Sequence, residues 1–235
     1  MKKLGSILFM CLAVLVSRAG AQASLSMNLG QSGETITDML VFAGSDLNAT
    51  ATAWSSPTGG GTFQQEQLAQ WSPGIGVKSE GEVITNVPFV PFYTDNETSY
   101  DFVLFVFDRP VEIDRLRVHP SGNSFDRDVS YWLGSIDTSL DLTGSGFSDL
   151  ASFGFGPRID NDSTVGNGAR WVDVNSNTGG LNALLFGARV NGDADFDRFK
   201  IQTLEVTVLP VPEPSALLLV ATALPLCFRR RRRAA

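Results

Sequence analysis

The run Asn191-Gly192-Asp193-Ala194-Asp195-Phe196-Asp197 places three carboxylates at alternate positions. On an extended chain, side chains two residues apart leave the same face, so Asp193, Asp195 and Asp197 could converge on one side of a loop. Hard oxygen donors in irregular geometry suit calcium, which takes six to eight oxygens. The glycine and distal glutamate of a helix-loop-helix calcium site are missing. Further oxygens could come from Asp95, Asn96 and Glu97, from Asp126 and Asp128, or from Asp160, Asn161 and Asp162, with no sequence rule to bring them together. The competing reading is a solvated acidic turn with Phe196 tucked into the core.

Paired carboxylates also raise glycoside hydrolysis, in which an acid and a nucleophile face each other about 5 Å apart. This cluster is aspartate-only and lacks an apolar strand to hold two carboxyls in a cleft, so a glycan-active hydrolase is the alternative reading and a non-enzyme the main one. His119 is the single histidine. Any Ser-His-Asp arrangement must pass through it, and it stands on the polar side of an alternating strand as a surface residue. No His-Glu-x-x-His, cysteine cluster or phosphate-binding glycine pattern occurs, which disfavours zinc and nucleotide chemistry.

Flat aromatic rings are the other chemical resource. Trp54, Trp71, Trp132 and Trp171 could stack on sugar faces where exposed. Trp54, in a polar Gly/Ser/Thr-rich stretch, is the candidate for exposure, and core packing is expected of the others.

These residues sit in a β-patterned body. Candidate strands are Thr35–Phe42, Val83–Val87, Tyr100–Phe107, Ile113–His119, Val129–Gly134, Arg170–Val174, Ala183–Val190 and Phe199–Val208, punctuated by Gly, Asn, Asp and Pro. Tyr100–Phe107 is apolar on both faces, as a central strand covered on both sides would be. Ile113–His119 alternates, with Leu116 and Val118 inward against Arg115, Arg117 and His119. Asp108-Arg109-Pro110 reads as a tight turn between the two. Phe199 and Ile201 are out of phase with Leu204, Val206 and Val208, which a bulge near Gln202 or Thr203 would reconcile. Residues 50–62 read as a flexible loop, and only a turn or two of helix is suggested around Phe63–Trp71. Short strands without helical crossovers imply an all-β fold, a two-sheet antiparallel sandwich or jelly roll.

The two ends have a different composition. Lys2 and Lys3, the apolar run Ile7–Val16 and the small residues Ala21 and Ala23 before Ser24 form a secretory signal peptide over residues 1–23. At the other end Pro212-Glu213-Pro214 precedes thirteen residues, Ala216–Phe228, interrupted by Pro225 and followed by Arg229, Arg230, Arg231, Arg232 and Arg233. The prolines make an extended spacer. The arginines stay cytoplasmic by the positive-inside rule. A comfortable span takes about 20 apolar residues, so this short helix suits transient insertion better than permanent anchoring.

That order of Pro-Glu-Pro, hydrophobic helix and terminal arginines resembles a PEP-CTERM sorting signal over 210–235. The resemblance implies a bacterial exosortase substrate of species that make extracellular polysaccharide. From Gly74 to Val208 the body, through Gly74-Ile-Gly-Val77, Tyr100–Phe107, Arg109-Pro-Val111 and Asp197–Ile201, is similar to a secreted domain of such proteins. It transfers no catalytic residue.

Eight of the eighteen basic residues and both cysteines, Cys11 and Cys227, lie in the terminal segments, whereas all twenty-five acidic residues fall between Ser24 and Pro214. The exported part then has ten basic residues against twenty-five acidic, a net charge of −15, and no disulfide. Such a surface repels nucleic-acid phosphates and favours divalent cations. The expectation is therefore an exported β domain, residues 24–209, transiently anchored in the inner membrane by its C-terminal helix and then delivered to the cell surface or extracellular matrix. Its expected partners are exosortase, the export machinery and extracellular polysaccharide, in a structural, adhesive or carbohydrate-binding role.

Overall fold

The computed structural model describes residues 22–44, 46–80, 92–122, 125–164, 166–176, 180–192 and 196–210. The expected strand Val83–Val87, both terminal helices, the Pro-Glu-Pro motif and the arginine cluster lie outside these residues. Among the described residues no helix is long and apolar enough to cross a membrane.

Residues 23–209 form one compact unit, with thirteen strands among the described residues. These are β1 (Ala23–Asn28), β2 (Thr35–Thr37), β3 (Met39–Ala43), β4 (Asn48–Pro57), β5 (Gln64–Gln70), β6 (Ile75–Lys78), β7 (Thr94–Asp95), β8 (Ser99–Pro120), β9 (Val129–Gly134), β10 (Ile159–Asn161), β11 (Arg170–Asp173), β12 (Leu181–Ala188) and β13 (Arg198–Val208). The fold is all-β, and the pairings between these strands are antiparallel. In place of two separate stacked sheets, the pairings β13–β6–β5–β4–β8–β13 close a five-strand barrel, with the remaining strands added around it. Closure removes free edges that two open sheets would leave.

Strand β8 makes this possible. Its first half pairs with β4 and β12, and its second half with β13 and β11. The expected turn at Asp108-Arg109-Pro110 falls instead inside one continuous 22-residue strand. Opposite it the register with β12 jumps from Ala183↔Val106 to Leu181↔Val111, so the extra residues are looped out of the ladder. Pro110 has no N–H to give the ladder, which is why the change of partners falls there.

Both faces of the first half of β8 are covered. Val103, Phe105 and Phe107 join one apolar cluster with Leu68, Val77, Leu116, Phe186, Phe199 and Val206. Phe102 and Leu104 join the other with Trp54, Phe63, Trp132 and Leu185. A 3-10 helix, Phe147–Phe153, closes this second cluster: the Phe147 ring stacks on Trp132 at 5.5 Å and meets Phe63 edge-on at 5.0 Å. The expected bulge in β13 is present, with a register shift between Ile201 and Thr203.

Three other expectations are corrected. Residues 50–57 belong to β4, whose Ala49, Ala51 and Ala53 face the core. Small side chains that looked like a flexible loop allow neighbouring strands to approach closely. Residues 64–70 are strand β5 and not helix. Their Glu, Gln, Leu and Ala have good helix propensity, but pairing with β4 and β6 overrides it. Thr35–Phe42 is broken at Asp38 into β2, which pairs with β5, and β3, which pairs with β4.

Candidate functional site

Strands β9 and β13 begin, and β12 ends, at one end of the fold. Asp128 immediately precedes β9, Asp197 immediately precedes β13 and Arg189 directly follows β12. Asp126 and Asp197 are joined by an isolated parallel bridge, in which Asp126 N–H donates to Phe196 O (3.0 Å) and Arg198 N–H to Asp126 O (3.1 Å). Asp126 and Asp128 are two residues apart, and each offers a carboxylate oxygen to one cluster with Asp197. One oxygen from each of the three lies within 4.8 Å of the others. The three residues are 3 %, 4 % and 1 % exposed, beyond the reach of a bulky substrate.

Asp197 is bonded on both carboxylate oxygens. Its Oδ1 accepts Asp128 N–H at 2.7 Å, and its Oδ2 accepts Asn96 Nδ2 at 2.7 Å and Arg189 N–H at 3.3 Å. Its own N–H donates to Asn96 Oδ1 at 2.9 Å. Asp126 Oδ1 accepts Arg127 N–H and Ser163 Oγ, both at 2.7 Å, and Asp128 Oδ1 accepts Ser163 N–H. Burial outweighs these donors and, with Asp128 and Asp126 alongside, pushes the Asp197 carboxyl up to about 8. Asp95 is pushed up to about 6 by burial, against the N–H of Glu97 and the charge of Arg198 that pull it down.

Arginines surround the cluster without filling it. Arg189 Nη1 is 3.8 Å from Asp128 Oδ2 and pairs with Asp162, and its Nε is 3.8 Å from Asp160 Oδ2. Arg127 donates to the carbonyls of Thr164 and Gly168, and Arg170 to the carbonyl of Arg127 and to Asn161, so both clamp the 161–170 segment. Arg198 is 3.9 Å from Asp95 Oδ2 and lies over Tyr93 and Phe125. Three buried carboxylates crowd together beside Arg189 and within the field of Arg170, and their mutual repulsion favours a proton or a cation among them. The donor set is of the hard-oxygen type that suits calcium.

The fold thus assembles Asp197 with Asp126 and Asp128, and brings Asn96 to them. Asp160, Asn161 and Asp162 are held at the edge through Arg189 and Arg170. Asp193 and Asp195 lie outside the described residues. Ser163 and Arg189 were missed, and no local pattern marks them. Their roles depend on which loops meet.

His119 is half-buried on the outward side of β8 with Nδ1 3.1 Å from Pro120 O. Trp54 is corrected: it is 2 % exposed, in the second apolar cluster, with Nε1 donating to Thr52 Oγ1 at 2.9 Å. It belongs to strand β4 and not to a loop, so it faces the cover formed by the 3-10 helix. Trp71 and Trp171 are the half-buried rings. Ala23 and Ser24 lie in β1, paired with Val208 and Thr207, while Ala21 is outside the described residues.

Comparison with protein-family models, with curated proteins and with solved structures gives no match.

Proposed function

We propose that this chain is an exported bacterial surface protein, cut after Ala23 and handled by exosortase at its Pro212-Glu213-Pro214 tail. Its body acts as a non-catalytic structural, adhesive or carbohydrate-binding component of an extracellular polysaccharide matrix. The observation that carries this reading is where the folded unit stops. Among the described residues both apolar clusters draw on positions from Leu25 to Val208, and the compact unit runs from residue 23 to 209. Trimming both signal-like ends would leave a unit free of cysteine and strongly acidic.

The non-catalytic part of the proposal is supported by the carboxylates themselves. Asp126, Asp128 and Asp197 are buried, and their oxygens are engaged by N–H and O–H donors from four chain segments. A glycosidase needs its acid and nucleophile open to the sugar. We assign the cluster a structural role, as a calcium site in which these three aspartates hold the ion and tie the loop end together. Calcium would neutralise buried charge there.

The export reading is tested by expressing the full chain with and without its exosortase and fractionating the cells. Surface delivery that requires exosortase supports it. A chain that stays in the cytosol in both strains refutes it.

A further inference from the structure

The outer face of β1–β13–β8–β11 carries two rows of side chains that the acidic cluster does not use. In the first, Trp171 of β11 is opposite Arg117 of β8, which is opposite Thr203 of β13, which is opposite Asn28 of β1. In the second, Asp173, Arg115 and Glu205 follow the same order. The intervening residues Val172, Leu116, Val118 and Leu204 are in the core, so both rows face outward. With strands about 4.8 Å apart, a four-strand row crosses about 14 Å.

Trp171 is the feature that points to a ligand. The Arg115 guanidinium carbon lies 4.1 Å from the centre of the ring and that of Arg117 5.8 Å, so the indole is held by cation–π contact, yet it is not fully buried. Arg115 is itself fixed by Glu205, Nε to Oε2 at 2.7 Å. A rigid, partly open ring beside fixed hydrogen-bonding groups is pre-organised for an apolar ring face with hydroxyls at its rim. Two guanidiniums facing Asp173 and Glu205 leave the patch near neutrality, on a body whose excess of acid repels polyanions.

We infer that this face binds an uncharged polysaccharide, one sugar ring stacking on Trp171 and neighbouring hydroxyls bonding Arg117, Thr203 and Asn28. The inference rests on the carbohydrate-associated reading above and gives it a site. It replaces the buried Trp54 as the stacking residue.

The test is affinity electrophoresis of the full chain in mild detergent, through native gels containing hydroxyethylcellulose, xyloglucan, galactomannan or dextran, with alginate as the polyanion. Retardation is expected in at least one neutral gel and not in alginate. Trp171→Ala should weaken it about ten-fold or more, the loss of one aromatic contact, and Arg117→Ala by a few-fold. Because Trp171 lies outside both apolar clusters, circular dichroism should confirm that Trp171→Ala stays folded, and Trp171→Phe should retain part of the binding. Equal retardation of Trp171→Ala, retardation in alginate alone, or none in any neutral gel overturns the inference. A chain that is exported and processed but never retarded removes this site and leaves the export reading standing. A chain that is retarded yet stays unprocessed in the cytosol does the reverse.

Discussion

Asp197 Oδ1 accepts the backbone N–H of Asp128 at 2.7 Å across 69 residues of chain, and thereby ties the start of β13 to the start of β9. The same carboxylate binds Asn96 and Arg189. Asp197→Ala strands those buried donors, each at about 1–3 kcal/mol. A total loss of roughly 3–5 kcal/mol in urea unfolding is expected, and a smaller loss for Asp197→Asn, which keeps one acceptor oxygen. A loss below about 1 kcal/mol for Asp197→Ala would remove the knot.

The pH dependence has a definite sign. Asp197 moves from an ordinary 3.8 to about 8 on folding, so between those values the folded chain holds a proton that the unfolded chain releases. Without calcium, this group's stabilisation is complete below about pH 4 and is lost as pH rises through 8. The proposed calcium ion would bind the ionised cluster, so its stabilising effect should be large at pH 8 and small at pH 5.5. At a hundredfold excess over Kd it amounts to about 2.7 kcal/mol. Thermal melts with calcium and with chelator at both pH values check this. Melting that ignores calcium at pH 8 contradicts the metal assignment.

Lys200 is 1 % exposed, and its Nζ makes no hydrogen bond among the described residues. The ammonium lies 4.1 Å from the centre of Trp71 and 5.6 Å from that of Tyr93. Burial pulls it down to about 7 from 10.5. The folded chain therefore binds fewer protons than the unfolded one between those values, and this group makes stability rise with pH across them. Lys200→Met should raise stability by about 1–3 kcal/mol at pH 7 and flatten that rise. Equilibrium unfolding at pH 7 and pH 9.5 measures both.

Gly187 has no room for a side chain. A Cβ there would lie 2.0 Å from Asp101 O and 2.3 Å from a ring carbon of Phe102, at the last pair of the β12–β8 ladder. Gly187→Ala is expected to cost at least about 2 kcal/mol, because backbone must shift. By contrast Trp54→Ala should cost about 3–5 kcal/mol and Trp171→Ala under about 1, a direct read of which indole is core. Denaturation of the three variants side by side is the check.

The all-β class was legible from alternation and turn residues, and several strands fall where the pattern puts them, Val129–Gly134 to the residue. The two-faced burial of Tyr100–Phe107 and the bulge at Gln202 were also written in the order of apolar residues. Barrel closure was not, because it depends on β8 changing partners at Pro110, a long-range choice with no local mark. Strand β4 was hidden because its inward positions are alanines, and β5 because its residues prefer helices. Of the acidic site, Asp126, Asp128, Asp197 and Asn96 were all visible as donors. What joined them was the meeting of loops some thirty to a hundred residues apart, which spacing alone does not encode.

The most direct measurement is the intact mass of the protein recovered from the surface of producing cells. The expected mass is that of a chain that begins at Ser24 and has lost Ala216–Phe228 and Arg229–Arg233. A full-length mass, with Met1 and the arginine block still present, would contradict it.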